Sequence, residues 1–211
     1  MLCRLRGSFD HDLWPKIVDS LTWDLPLALG RLNAALYLLD TGDEPAAREH
    51  FSALARHDFD DWIEEGGWTE QLALAAEVSS RLGDRTRGAR LYELLLPYAD
   101  RCIANVWVTS YHGAAGYYLG LLATTLERWD DAARHFERAI ELDDANRARP
   151  FVANACYGYA AMLLKHSAPG DHERARLLID QALAAAEEIG MARLAREALA
   201  LKECLQEMLN A

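Results

Sequence analysis

The sequence predicts an all-α fold: an α-solenoid of about four helix pairs closed by a capping helix at the C-terminus. Three observations predict it. Four times a small residue is followed four positions later by a bulky one, at Ala47–Phe51, Gly88–Tyr92, Ala132–Phe136 and Ala175–Ile179. The small residues recur at intervals of 41, 44 and 43, and a fixed period in this range marks a stacked repeat. Ala, Leu, Glu and Arg dominate the chain and Pro is scarce, which favours helices over sheets. The spacing has a geometric reason. The small side chain lets the two helices of a unit approach closely, and the bulky one a turn later fills the space to the next unit.

The elements follow in order. Residues 1–24 form an N-terminal cap or linker. Pro15 there suits the first turn of a short helix, and Leu13, Trp14, Ile17, Val18 and Leu21 form one apolar stripe. The repeat array covers residues 25–190. Its first pair turns at Thr41-Gly42-Asp43, with Asp43 as N-cap and Pro45 in the next first turn. A linker around residues 58–67 is broken by Gly66-Gly67. The second pair starts near Trp68, turns at Gly83-Asp84 and stops after Leu96-Pro97-Tyr98. Ile103, Val106, Trp107, Val108 and Thr109 are poor helix material, so residues 100–110 are expected as an extended connection. The third pair is expected from Tyr111, with Asp130 as the cap of its second helix. The fourth starts at Pro150, turns at Ala168-Pro169-Gly170-Asp171 and ends at Gly190, a left-handed C′ position. Residues 191–211 are the capping helix. Leu194, Ala198, Leu201, Leu205 and Met208 make its apolar stripe, and Arg193, Arg196, Glu197, Lys202, Glu203 and Glu207 its outer polar face.

The formal net charge is −11, a poor match to a phosphate backbone, so no nucleic acid is expected as a partner. No apolar run approaches the ~20 residues that span a bilayer, so no membrane is expected either. The N-terminus has no apolar core of a signal peptide. Cys3, Cys102, Cys156 and Cys204 form no C-x-x-C pair and are expected as small buried hydrophobes. A cytoplasmic setting is the expectation.

The small-x3-bulky pattern, with Leu119-Gly120 before it and Gly-Asp or Arg-Trp-Asp turns, resembles the tetratricopeptide repeat. Tyr118-Leu119-Gly120-Leu121-Leu122-Ala123, running on to Trp129-Asp130-Asp131-Ala132-Ala133-Arg134-His135-Phe136-Glu137, carries the resemblance furthest. With Leu91–Ala99, Tyr159–Leu164 and Ala168–Asp171, it is similar to the helical C-terminal region of large bacterial signalling proteins. Those join a nucleotide-cyclase or LuxR-type DNA-binding domain to an AAA/STAND ATPase. The resemblance spans roughly residues 28–195 and implies a regulatory or sensor module. The repeats exceed the usual 34 residues, so they are tetratricopeptide-like. No G-x-x-x-x-G-K-[ST] loop occurs, so the ATPase core is absent from this segment.

Catalytic patterns are sparse. Asp60-Asp61, Asp130-Asp131 and Asp143-Asp144 lack the D-D-x-x-D spacing that sets magnesium-binding carboxylates on one helix face. Asp130-Asp131 is expected as a helix start and the other pairs as solvated linker. No H-E-x-x-H or G-x-S-x-G occurs, and His57 beside Asp58, Asp60 and Asp61 lies in a polar linker. No catalytic residue, metal or cofactor is therefore expected.

In tetratricopeptide repeats the first helix of each pair lines a concave groove. Aligned so, the groove positions are Glu70, Glu77 and Arg81, then Tyr117, Leu121 and Thr124, then Asn154, Tyr157 and Ala161. The positions of the Lys/Asn carboxylate clamp carry Leu32, Leu36, Tyr118 and Gly158, so a chaperone-tail receptor is not expected. The leading expectation is a non-catalytic interaction or sensor module. It would hold a protein or peptide partner in the groove, as a monomer or weak homodimer. A small all-helical enzyme and a structural oligomerisation element remain the alternatives.

Overall fold

A computed structural model describes residues 27–54, 59, 68–105 and 110–210. The cap expected over residues 1–24, the Gly66-Gly67 linker, the His57 cluster and residues 106–109 lie outside the described residues.

Helix α1 (Leu27–Thr41) and helix α2 (Glu44–Leu54) flank the first predicted turn. The Asp43 carboxylate accepts the Ala46 N–H at 3.1 Å, which satisfies an orphan donor of α2. Helix α3 (Trp68–Arg81) and helix α4 (Arg85–Leu95) follow. Asp84 caps α4 in the same way, through the Arg87 N–H. A short 3-10 turn, Leu96–Tyr98, ends that pair at Pro97. Helix α5 (Ala115–Thr125) and helix α6 (Trp129–Ala145) form the third pair, helix α7 (Arg149–His166) and helix α8 (Asp171–Ile189) the fourth. Gly190 ends α8 at φ 75°, and helix α9 (Ala192–Asn210) closes the described chain.

Each first helix packs on its second, and the first helices pack on one another in the order α1, α3, α5, α7, α9. The four small–bulky pairs are all buried. The bulky members reach the next unit. Phe136 on α6 stacks on Tyr159 of α7 with ring centres 5.7 Å apart, and the hydroxyl of Tyr92 on α4 meets His135 Nε2 on α6 at 2.9 Å. Burial of a ring such as Phe136 stabilises by roughly 2–3 kcal/mol.

The structure corrects the sequence reading at several points. The chain is mainly helical but not wholly so. Strand β1 (Cys102–Ala104) pairs antiparallel with strand β2 (Tyr111–Ala114). The extended connection thus includes a strand, and Tyr111 belongs to its partner strand instead of opening a helix. Gly113 explains why. Its φ is +86°, and a Cβ there would lie 2.7 Å from the Phe151 ring, so the chain cannot start its helix before Ala115. Asp130 lies inside the first turn of α6, not at its cap, because Arg128 already has the last non-helical backbone. Of the described cysteines, Cys156 is buried while Cys102 and Cys204 are exposed. Met208, placed on the apolar stripe of α9, is exposed.

Candidate functional site

The spacings 70/77/81, 117/121/124 and 154/157/161 put each set of predicted groove residues along one helix face. Because α3, α5 and α7 lie side by side, those faces adjoin. Two cavities open between them, of about 320 Å³ and about 400 Å³. Glu70 lines the first. Arg81, Leu121, Thr124, Tyr157 and Ala161 line the second. Glu77, Tyr117 and Asn154 line both, which makes the two cavities neighbours along one surface. Every predicted groove position therefore reaches this surface. Tyr117 is partly packed as well: its ring stands edge-on to Tyr118 at 5.1 Å and to Phe136 at 6.3 Å.

Sequence reasoning missed the far wall. Arg193 lines both cavities and Glu197 the second, although both were assigned to the outer polar face of the last helix. The correction follows from a partner distant in the sequence. Asp40 Oδ1 on α1 accepts from Arg81 Nη1 at 2.6 Å and from Arg193 Nη1 at 2.8 Å. One carboxylate, 9% exposed, thus joins α1, α3 and α9 at the edge of the cavities. Burial raises the Glu197 carboxyl above its ordinary range; Arg193 and Arg81 oppose that, while Asp40 and Glu77 add to it. Burial likewise raises the Tyr157 hydroxyl, so it stays a neutral donor.

Asp143 is the second missed residue. It was expected in a solvated linker, yet it sits near the end of α6 with no exposed surface and forms part of the first cavity's wall. Its Oδ1 accepts the Tyr111 hydroxyl at 2.6 Å. Burial raises its pKa, with the Tyr111 hydroxyl and the Ala114 N–H opposing. The strand pairing that places Tyr111 over α6 carried no sequence signal except Gly113.

The first cavity also holds Ser110, His112 and Glu70. Ser110 Oγ and Glu70 Oε1 both lie 2.9 Å from His112 Nε2. A nucleophilic relay needs the serine and the carboxylate on opposite imidazole nitrogens. One nitrogen carries either a proton or a lone pair, so this arrangement cannot take a proton from serine while the carboxylate orients the ring. The buried thiol of Cys156, pushed up to about 12 by desolvation, is a poor nucleophile. Among the described residues no group of three or more His, Cys, Asp or Glu could hold a metal ion. Among them no helix is long and apolar enough to cross a membrane.

Compared with known proteins, the chain matches no family profile, no curated protein and no solved structure.

Proposed function

We propose that this chain is a non-catalytic binding module, a tetratricopeptide-like α-solenoid whose inner face holds a ligand or partner. One observation carries the reading. Positions chosen on three helices, 36 to 47 residues apart in the sequence, line two adjoining cavities. The cavity volumes fall within or near the range of small-ligand sites, roughly 300–1,000 Å³. The Asp40 bridge between α1 and α9 bounds the inner face at one end. A compact ligand, or the end of a peptide, suits that shape better than a long helix laid along an open groove. The resemblance to the tails of bacterial ATPase-linked regulators fits a sensor role in signal transduction in the cytoplasm.

The test is a thermal-shift screen of small molecules and short peptides, followed by titration of any hit. A saturable ligand is expected, and Tyr117→Ala and Tyr157→Ala each weaken it. Loss of an aromatic anchor costs at least about 2 kcal/mol, roughly thirtyfold in affinity. Both variants binding a confirmed ligand normally would overturn the groove assignment. A substrate turned over by the purified chain would overturn the non-catalytic reading.

A second reading has its own observation. Leu199, Met208 and Leu209 are exposed on α9, which favours self-association through the last helix. Light scattering over a concentration series separates a dimer from a monomer.

A further inference from the structure

The carboxylate of Asp143 has two oxygens in different circumstances. Oδ1 accepts from Tyr111, and the Ala114 N–H also lies near the carboxylate, but among the described residues no donor meets the buried Oδ2 in hydrogen-bond geometry. A buried oxygen without a donor carries an uncompensated desolvation cost, and Asp143 stands in the wall of a cavity. The other groups on that wall set the sign of what belongs there. Glu70, whose Oε1 lies 2.9 Å from His112 Nε2, and Glu77 add two more carboxylates, and Arg193 is the one guanidinium among the described lining residues. The rings of Tyr117, Tyr118 and Phe151 complete the wall, and an aromatic face attracts a cation.

We propose that the first cavity binds an alkylammonium group, the protonated head of a primary or secondary amine. Its N–H donors complete Asp143 Oδ2, its charge is balanced by Glu70 and Glu77, and its methylenes lie against the tyrosine rings. The need for a hydrogen on Oδ2 selects a donor-bearing amine over a quaternary ammonium. The carboxylate excess selects against an anion. The proposal rests on the reading of the inner face as a binding surface. The head group has two sources, a free amine or the lysine side chain of a peptide, and the chemistry at Asp143 is the same for both.

The experiment is calorimetric titration of the full chain with 1,5-diaminopentane, spermidine and a short lysine-containing peptide. Tetramethylammonium, glutarate and magnesium chloride are run beside them. Saturable binding of an amine or of the peptide is expected, and whichever binds identifies the source. Asp143→Asn and Glu70→Gln, both checked for native helix content by circular dichroism, should each weaken it at least tenfold. Should Asp143→Asn fail to fold, Glu70→Gln carries the test. Equal binding by both folded variants overturns the proposal, because the attraction is then general surface acidity. Binding of glutarate or magnesium in place of amines overturns it as well. If Tyr117→Ala abolishes that binding, the inner face still stands as a site. If no probe and no member of a broad ligand screen binds, the proposal and the binding-module reading fall together.

Discussion

Asp40 and Arg193 are 153 positions apart in the sequence and 2.8 Å apart in space. Other hydrogen bonds between helices, Arg81 to Asp40, Tyr92 to His135 and Lys202 to Asp180, join adjoining units. This one joins the first described helix to the last. Because the same Asp40 oxygen also takes Arg81, loss of the carboxylate removes a partner from two guanidinium groups that are only 27–31% exposed and leaves Arg193 with Glu197 at 3.7 Å. Asp40→Ala is expected to lower stability by about 1–3 kcal/mol. Hydrogen exchange should quicken selectively at the start of α9. Uniform exchange across the chain, with no change at residues 192–198, would show that the bridge restrains nothing.

The close approach of α5 and α6 depends on Gly116. A Cβ at that position would stand 2.7 Å from the backbone carbonyl of His135 and 3.3 Å from the Ala139 nitrogen. Backbone cannot step aside as a side-chain tip can. Gly116→Ala is expected to cost about 1–3 kcal/mol through overpacking. Gly30 on α1 is the internal control, since among the described residues a Cβ there meets nothing within 4 Å. Gly30→Ala should stabilise by about 0.5–1 kcal/mol through helix propensity. Chemical denaturation of both variants checks the contrast, and equal shifts of the same sign would contradict it.

Most of the helix layout was legible in the sequence because its signals are local. Asp43, Asp84, Pro97 and Gly190 each mark a helix end by a physical effect confined to one turn. The small–bulky pairs were legible because burial repeats with the period. The candidate site was half legible. Its α3, α5 and α7 residues obey helix spacing, so one repeat alignment yields all of them. Asp143, Arg193 and Asp40 obey no local rule. Charged residues at a helix end or on a terminal helix ordinarily face water, and only the return of α9 towards α1 and of Tyr111 over α6 turns these inward. The hairpin was hidden for a related reason: Tyr111 and Ala114 have no strand signature apart from the left-handed Gly113.

His135 gives the chain a pH dependence of known sign. It is 5% exposed, and burial, aided by Arg134 and Arg128, lowers its pKa below the ordinary 6.5. Burial also raises the Tyr92 pKa, so tyrosine is the donor and neutral histidine the acceptor. Above pH 6.5 neither the folded nor the unfolded chain binds the proton there. Below it the unfolded chain takes up the proton first, so stability falls as pH falls towards the folded pKa. The slope contributed is up to about 1.4 kcal/mol per pH unit. Thermal melts between pH 7 and pH 5.5 should show a steeper loss in the native chain than in His135→Gln. Parallel slopes would remove His135 as the cause.

Asp143 acts with the opposite sign. Its folded pKa is raised above the ordinary 3.8, so its contribution is complete below pH 3.8 and is lost as pH rises through the folded pKa. At pH 7 the ligand-free chain therefore bears a cost that a neutral amide avoids. Asp143→Asn should be as stable as the native chain or more so at pH 7, with the difference shrinking towards pH 4. A large destabilisation at neutral pH would mean that the charged carboxylate is a structural support for the Tyr111 strand.

Removal of residues 191–211 tests the last helix as both a cap and a wall. Leu194, Ala198 and Leu205 are buried against the preceding helices, and Lys202 Nζ ties α9 to Asp180 of α8 at 2.7 Å. Burial of two leucines is worth roughly 4 kcal/mol. At about 2–4 °C per kcal/mol for a chain of this size, the melting temperature should fall by roughly 8–16 °C. The deletion also removes Arg193 and Glu197 from the cavities, so ligand affinity should fall further than in Leu205→Ala, which weakens the packing and leaves both charges in place. An Arg193→Met variant isolates the wall from the cap, since it keeps the helix and loses the guanidinium. A truncated chain that stays monomeric and equally stable, beside a dimeric full-length chain, would assign α9 to self-association.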